Sequence, residues 1–261
     1  MLLNDVLEAH GYDFSEYSRA SLVRRVGRLL LLDKFPSFEE LRYKVRFDPD
    51  YLKRFVEEIT VNVTEMFRDP EFYKALRENV LPHIAAKPFI RIWHAGCSTG
   101  EEVYSMAILL HECNLLHKSL LYATDINPGV IERAGKGIFP LGAMREYSEN
   151  YIASGGKQDF SRYYTAKYDR VIFDDIFRDK MMFSTHNLVS DSSFNEFQLI
   201  VCRNVLIYFD KELQNTVLRL FDSSLEPLGF LALGSKETLK FSGISSKYKQ
   251  VEKERIWRKE R

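Results

Sequence analysis

Residues 90–104, IRIWHAGCSTGEEVY, decide how the chain reads. Residues 90–93 form an apolar run of buried-strand length. A small-residue turn follows, from Ala95 to Gly100. Residues 101–110 carry Val103, Met106, Ala107 and Leu110 at helical spacing. Strand, tight glycine turn and helix start make up the local architecture of a nucleotide-binding βα unit. Gly96 and Gly100 allow close backbone approach, and free N–H groups at the helix start face the ligand. The pattern departs from the dinucleotide fingerprint G-x-G-x-x-G, because Ser98 stands in the middle. Alone it also fits an ordinary strand–helix turn.

A second apolar strand, residues 120–123, ends in Thr124-Asp125. An acid at the tip of the second strand, roughly 20 residues on, commonly binds a ribose hydroxyl pair. Asp125 could instead begin the turn before Asn127-Pro128, a good helix cap. Together, glycine turn and strand-end acid point to a bound nucleoside without saying which.

The 261 residues suffice for one large domain or two modest ones, and 45% apolar content supports a sizeable core. Lys plus Arg and Asp plus Glu number 37 each, so no net charge draws the chain to nucleic acid. Three cysteines without a C-x-x-C pair fit a reducing cytosol. The six histidines show no metal-site spacing. No apolar run approaches the ~18 residues of a membrane span. The start, MLLNDVLEAHGYDF, lacks the basic region of a secretory signal. No extended heptad seam appears, so a cytoplasmic monomer is expected.

Residues 1–75 are expected to form a small all-helical domain. Residues 4–10 form a short helix that Gly11 can end. Residues 17–33 carry Leu22, Val26, Leu29 and Leu30 at helical spacing, with Arg19, Arg24, Arg25 and Arg28 on another face. That basic face is either solvated or a dock for an acidic partner. Ser37 and Glu40 form a capping box, and Asp50 opens a helix burying Leu52, Phe55, Val56 and Ile59. The junction TVNVTEMFRDP, residues 60–70, has no clear period. Asp69-Pro70 is expected to cap the next helix, leaving Asn62, Thr64 and Arg68 between two domains, where ligands often bind.

Residues 76–261 alternate strands and helices, which implies a mainly parallel α/β sheet covered on both faces. The excursion at residues 141–182 is expected to hold a small antiparallel β element. Residues 182–186 and 197–201 form strands. Pro227-Leu228-Gly229 turns the chain into the strand FLALG, and the tail adds a last strand. Gly96, Asp125, Asn187 and Arg203-Asn204 all fall at strand ends, where such sheets bind ligands.

Four segments now carry a family resemblance. NVTEMFRDP is similar to the T-N-x-T-x-F-F-R-x-P segment of chemotaxis receptor methyltransferases of the CheR type. AGCSTGEEVYSMA resembles their A-x-S-T-G-E-E-P-Y-S-x-A, ATDINPGVIERAGKGIF their A-T-D-I segment, and CRNVLIYFDKELQ their C-R-N-V-x-I-Y-F run. The segments stand in the right order from Asn62 to Gln214, and the helical N-terminal part fits too. Met66-Phe67 replaces an aromatic pair, and Val103 replaces the usual proline. The 141–182 excursion corresponds to the family's β-subdomain but is longer. In some members that subdomain binds a tethering peptide at the receptor's C-terminus.

The resemblance implies a Rossmann-like sheet binding S-adenosylmethionine and yielding S-adenosylhomocysteine, with methylation of glutamates on the helical domain of methyl-accepting chemoreceptors. Carried over, Asn62, Thr64 and Arg68 meet the methionine end and the reaction centre. Glu102 holds the amino group and Asp125 the ribose. Asn187 and Leu188 flank the adenine. Arg203, Asn204 and Tyr208 line the active site, and the basic helix docks on the receptor. A glutamate with an unperturbed pKa of about 4.3 is already a nucleophile at neutral pH, so no general base is needed. Arg68 is expected to orient it and Tyr208 to set its approach. The competing readings are a methyltransferase with a different acceptor, a cofactor-binding signalling module without turnover, and an NAD-binding module, which the missing middle glycine weakens.

Overall fold

The computed structural model describes residues 2–10, 12, 14, 17, 19–60 and 64–260. Gly11 and Asn62, both singled out above, lie outside the described residues. The chain begins with four helices, α1 (Leu2–His10), α2 (Arg19–Leu32), α3 (Phe38–Phe47) and α4 (Pro49–Ile59). Their apolar stripes meet in one core around Val6, Leu29, Val45, Phe55 and Val56. Ser37 starts α3, accepting from the Glu40 N–H. The cap of helix α4 is Asp48, two residues before the expected Asp50. Asp48 accepts from the N–H groups of Asp50 and Tyr51, and Pro49, with no N–H to lose, takes the first helical position.

The expected single basic face of α2 is narrower than four arginines. Nine positions at about 100° per residue put Arg19 half a turn away from Arg28, whereas Arg24, Arg25 and Arg28 share one arc. Two of these three are held by α4. Arg25 donates from Nη1 to the Glu58 carbonyl (2.8 Å), and Arg28 Nη1 lies 3.2 Å from the Glu58 carboxylate.

Helix α5 (Pro70–Ala75) continues through a π turn (Leu76–Val80) into α6 (Leu81–Ile84). Pro82 has no N–H, and its ring would press on the Glu78 carbonyl of a regular helix, so the wider turn falls where proline needs it. Phe72 and Tyr73 bury α5 in the core of the sheet domain, although the sequence groups this turn with the helical part. Asp69 does not cap α5. It sits at φ 56° and makes no capping bond, because its carboxylate is engaged elsewhere, as described below.

The main sheet joins β1 (Ile90–Ala95), β2 (Ser119–Asp125), β6 (Met181–Thr185), β7 (Phe197–Cys202), β8 (Leu225–Leu233), β9 (Tyr248–Glu252) and β10 (Ile256–Lys259). Their order is β6-β2-β1-β7-β8-β10-β9, with only β10 running against the rest. Strand order reverses between the parallel neighbours β1 and β7, and in doubly wound sheets the ligand crevice lies at that switch point. Helices α7 (Glu101–Glu112), α8 (Pro128–Lys136) and α11 (Lys211–Ser224) connect the strands.

Three expectations are corrected here. The tail is a hairpin, β9 and β10, rather than one strand. Pro227-Leu228-Gly229 lies inside β8, where the register against β7 shifts and Leu228 takes φ 66°; what looks like a turn is a bulge. Helix α7 is buried all round from Val103 to Leu110, not on one face.

That enclosure comes from the excursion. A second sheet, β3 (Ile138–Pro140), β4 (Tyr164–Lys167) and β5 (Arg170–Phe173), is antiparallel in the order β3-β5-β4. Its first strand precedes residue 141, and β6 at the other end belongs to the main sheet. Tyr104 of α7 packs on Phe139 and Phe173 of this sheet, each with centroids 5.3 Å apart. Helices α9 (Met144–Ala153) and α10 (Asp175–Arg178) complete the excursion. Buried Glu112, at the end of α7, accepts from Arg77 and from the hydroxyls of Tyr151 and Tyr163, which fastens the excursion to the sheet domain. Among the described residues no helix is long and apolar enough to cross a membrane.

Candidate active site

One cleft opens at the carboxyl ends of β1, β2, β6 and β7. Gly96, Glu102, Asp125, Asn187, Leu188, Arg203, Asn204, Thr64, Arg68 and Tyr208 all line it. The sequence therefore brings together every cofactor and catalytic candidate that is described. The four α2 arginines do not line the cleft, but the charges of Arg24, Arg25 and Arg68 all act on the Tyr208 phenol.

The turn after β1 is packed too closely for a side chain at Gly96. It takes φ 81°, and a Cβ there would lie 2.4 Å from Val205 Cγ2. The backbone is held from below: the N–H groups of Gly96 and Cys97 both donate to the Thr124 carbonyl. Asp125 accepts from the Ser98 N–H (2.9 Å) and the Asn127 N–H (3.0 Å). Burial pushes the Asp125 pKa up, against the pull of those N–H groups. The Ile126 N–H also acts on this carboxylate, and of its roughly four acceptor sites at least one stays open to a hydroxyl. Asn187 shapes the end of β6, its Oδ1 accepting from the Val189 N–H, and sets Leu188 beside the cleft.

Glu102, the second residue of α7, accepts from His94 Nδ1 (2.9 Å), and its other oxygen lies 3.4 Å from Arg203 Nη1. Burial would raise its pKa, but the hydrogen bond to His94 and the Arg203 guanidinium outweigh this and lower it, so Glu102 is ionised at neutral pH. Arg203 is turned inward, its side chain 4% exposed. Its Nη2 donates to Asp69 Oδ2 (2.6 Å) and to the Arg68 carbonyl (3.2 Å), and its guanidinium lies 4.1 Å over the Phe72 ring. Arg203 is thus a brace between β7, α7 and the segment 64–69.

That segment is strained. Phe67 and Asp69 both adopt left-handed φ, 52° and 56°, a conformation that persists only where surroundings impose it. Besides Arg203, Ser105 Oγ accepts from the Phe67 N–H and Asn150 donates to the Met66 carbonyl. The result fixes Arg68 at the cleft mouth, beside Glu65. Tyr208 stands nearby on the short 3-10 turn after β7. Burial raises its pKa, so it remains a neutral O–H donor.

Sequence reasoning misses Glu237. This buried acid follows β8 and accepts from the N–H groups of Gly234 (2.6 Å), Val205 (2.9 Å), Asn204 (3.0 Å) and Ile207 (3.3 Å). Burial raises its pKa, against those four donors. It holds Asn204 at φ 61° and so shapes the loop that carries Tyr208. Its signal was present: an acid just past an apolar strand, as at Asp125. Tyr17, His186 and Lys236 also line the cleft without having been named as site candidates, and so does Asp69, which was expected only to cap a helix.

A glycine-turn cleft with two inward-turned carboxylates, Glu102 and Asp125, at the switch point of a doubly wound sheet, is the architecture of a nucleoside-binding α/β protein. Two family descriptions match the chain: "CheR methyltransferase, SAM binding domain" over residues 62–256 and "CheR methyltransferase, all-alpha domain" over residues 1–60. The chain belongs to the CheR methyltransferase family and is an S-adenosylmethionine-dependent methyltransferase. It is similar to a putative methyltransferase, Cher3, of Pseudomonas putida, 46% identical over 260 residues, covering 99% of this chain and 95% of that one. It is also similar to the chemotaxis protein methyltransferases of Listeria monocytogenes (31% identity; 88% of this chain, 85% of that one) and Borreliella burgdorferi (29%; 92% and 87%).

The residues fit S-adenosylmethionine. The Gly96 corner is bare backbone, and the buried Ser98 hydroxyl at the cleft has no partner among the described residues. Glu102 and Asp125 offer acceptor carboxylates of the kind that an ammonium and a diol take.

Proposed function

We propose that this chain methylates glutamate side chains on the cytoplasmic helical domain of chemoreceptors, forming carboxyl methyl esters. The observation that carries the reading is the character of the cleft mouth. Arg68 and the neutral Tyr208 hydroxyl stand there, the charges of Arg24 and Arg25 act on that hydroxyl from α2, and among the described residues no hydrogen-bonded Ser-His-Asp or Cys-His set accompanies them. Such a mouth suits an anionic acceptor that needs no deprotonation. The "chemotaxis protein methyltransferase" names of the relatives support the same reading.

In this reading S-adenosylmethionine supplies an electrophilic methyl group on a sulfonium. Glu102 binds the ammonium of its methionine end, Asp125 binds the ribose hydroxyls, and Leu188 and Asn187 border the adenine. Thr64 and Asn204 complete the wall on the methionine side. Arg68 orients the acceptor carboxylate through a charge-assisted bond, and Tyr208 donates to its second oxygen. Catalysis is then mostly placement of two reactants in line, with water excluded. The exposed Arg24, with Arg28 beside it, faces the acidic surface that presents the glutamate.

Replacing Arg68 with alanine is expected to reduce methyl transfer to a receptor fragment by about 100-fold, the scale seen when one donor to a reacting centre is removed. Steady-state kinetics with the cytoplasmic fragment as acceptor check this. Unchanged kcat and KM would remove Arg68 from the reaction centre.

A further inference from the structure

His94 reaches the cleft only through Glu102. It is wholly buried on β1. Strand alternation puts it on the same face as Ile90 and Ile92, under helix α7. A core strand position is normally apolar, and an imidazole there must be bonded or cost stability. His94 meets that condition on one side only: Nδ1 lies 2.9 Å from Glu102 Oε1, while Nε2 has no partner among the described residues. Glu102 is ionised and accepts only, so Nδ1 carries the proton and donates.

The Glu102 side chain has three rotatable bonds and is 16% exposed toward the cleft. Its second contact, to Arg203, is longer, at 3.4 Å. The short bond to a ring seated in a rigid strand is what sets the carboxylate plane. We propose that His94 is a positioning residue for the amino-group end of the cofactor site, fixing the Glu102 carboxylate before an ammonium arrives. The inference rests on the reading of Glu102 given above. It also makes a local statement about the sequence: in HAGCSTGEE the histidine and the second glutamate act as one unit, eight residues apart, across the glycine turn.

The test is calorimetric titration of the full chain with two ligands. S-adenosylhomocysteine carries the amino group, and 5′-methylthioadenosine lacks it. His94→Leu keeps the volume and removes the donor. His94→Gln keeps an amide but carries its N–H beyond the Nδ1 position. His94→Asn places an amide N–H close to where Nδ1 stood. His94→Leu and His94→Gln are expected to weaken S-adenosylhomocysteine about 10- to 100-fold, the range seen when the partner orienting a metal ligand is lost. Methylthioadenosine binding is expected to be unchanged in both, and His94→Asn is expected to restore most of the loss. Should His94→Leu not fold, the Asn and Gln pair carries the comparison alone.

Equal weakening of both ligands would reduce His94 to a packing residue. Undiminished S-adenosylhomocysteine binding in every variant would also overturn the proposal. Glu102→Gln separates the two levels. If it leaves S-adenosylhomocysteine binding intact, the reading of Glu102 itself fails. If it weakens binding while the His94 variants do not, only the positioning role fails.

Discussion

Arg203→Leu is expected to lower kcat/KM for methyl transfer by about 100-fold or more, the largest effect of any single change at the cleft. Its guanidinium is buried, stacked on Phe72 and shared between Asp69, the Arg68 carbonyl and Glu102. Leucine would pack in the space but leave the largely buried Glu102 and the half-exposed Asp69 without their shared cation. Removing one partner of a buried ion pair costs about 3–5 kcal/mol, and each ~1.4 kcal/mol lost at the transition state is tenfold in rate. Part of that cost falls on folding and part on the site, so both must be measured, by steady-state kinetics and by urea unfolding. The pH profile carries a further signature. Arg203 helps His94 hold the Glu102 pKa down, so its loss moves the acid limb of cofactor binding to higher pH. Arg203→Lys keeps a charge but not the fork that reaches three acceptors, and is expected to recover only part of the activity. Wild-type kcat/KM in Arg203→Leu would show that the brace is not needed.

The second large effect is on stability. Glu237→Ala would strip four backbone N–H groups of their acceptor at once, in the loop 204–207 and at Gly234. A buried donor left unsatisfied costs about 1–3 kcal/mol, and water entering the gap recovers part of it. A net loss of about 3–5 kcal/mol is expected, among the largest that single substitutions produce. Urea unfolding with an unchanged slope and a lowered midpoint would register it. Glu237→Gln keeps one acceptor oxygen and should fall between. A midpoint within error of wild type would mean that Asn204 and Val205 hold their conformation without this carboxylate.

These two residues mark the boundary of what the sequence made legible. The apolar strands were readable because parallel strands covered on both faces are near-continuous apolar runs. The strand ends followed from them, so Gly96, Asp125, Asn187 and Arg203 were placed in one site before any geometry. What could not be read was how side chains are partnered across the chain. Arg203 looks like a ligand contact in C-R-N-V, yet it serves Asp69, 134 positions away. Asp69 before Pro70 has the look of a helix cap, and only the distant arginine explains why its carboxylate points elsewhere. The full enclosure of α7 depends on Phe139, Tyr151 and Phe173, from an excursion without a clear period of its own. Pro227-Gly229 carries turn residues, and only pairing with β7 reveals a bulge. On α2, Arg19 was grouped with the other arginines by proximity in sequence, where the helical angle already separates it from them.

The most direct measurement is transfer of labelled methyl from S-adenosylmethionine to a cytoplasmic chemoreceptor fragment, followed by mild base. The account predicts label on the fragment that base releases as volatile methanol, since carboxyl methyl esters hydrolyse where methylated nitrogen does not. Label that resists base, or cofactor binding with no transfer to any receptor fragment, would contradict it.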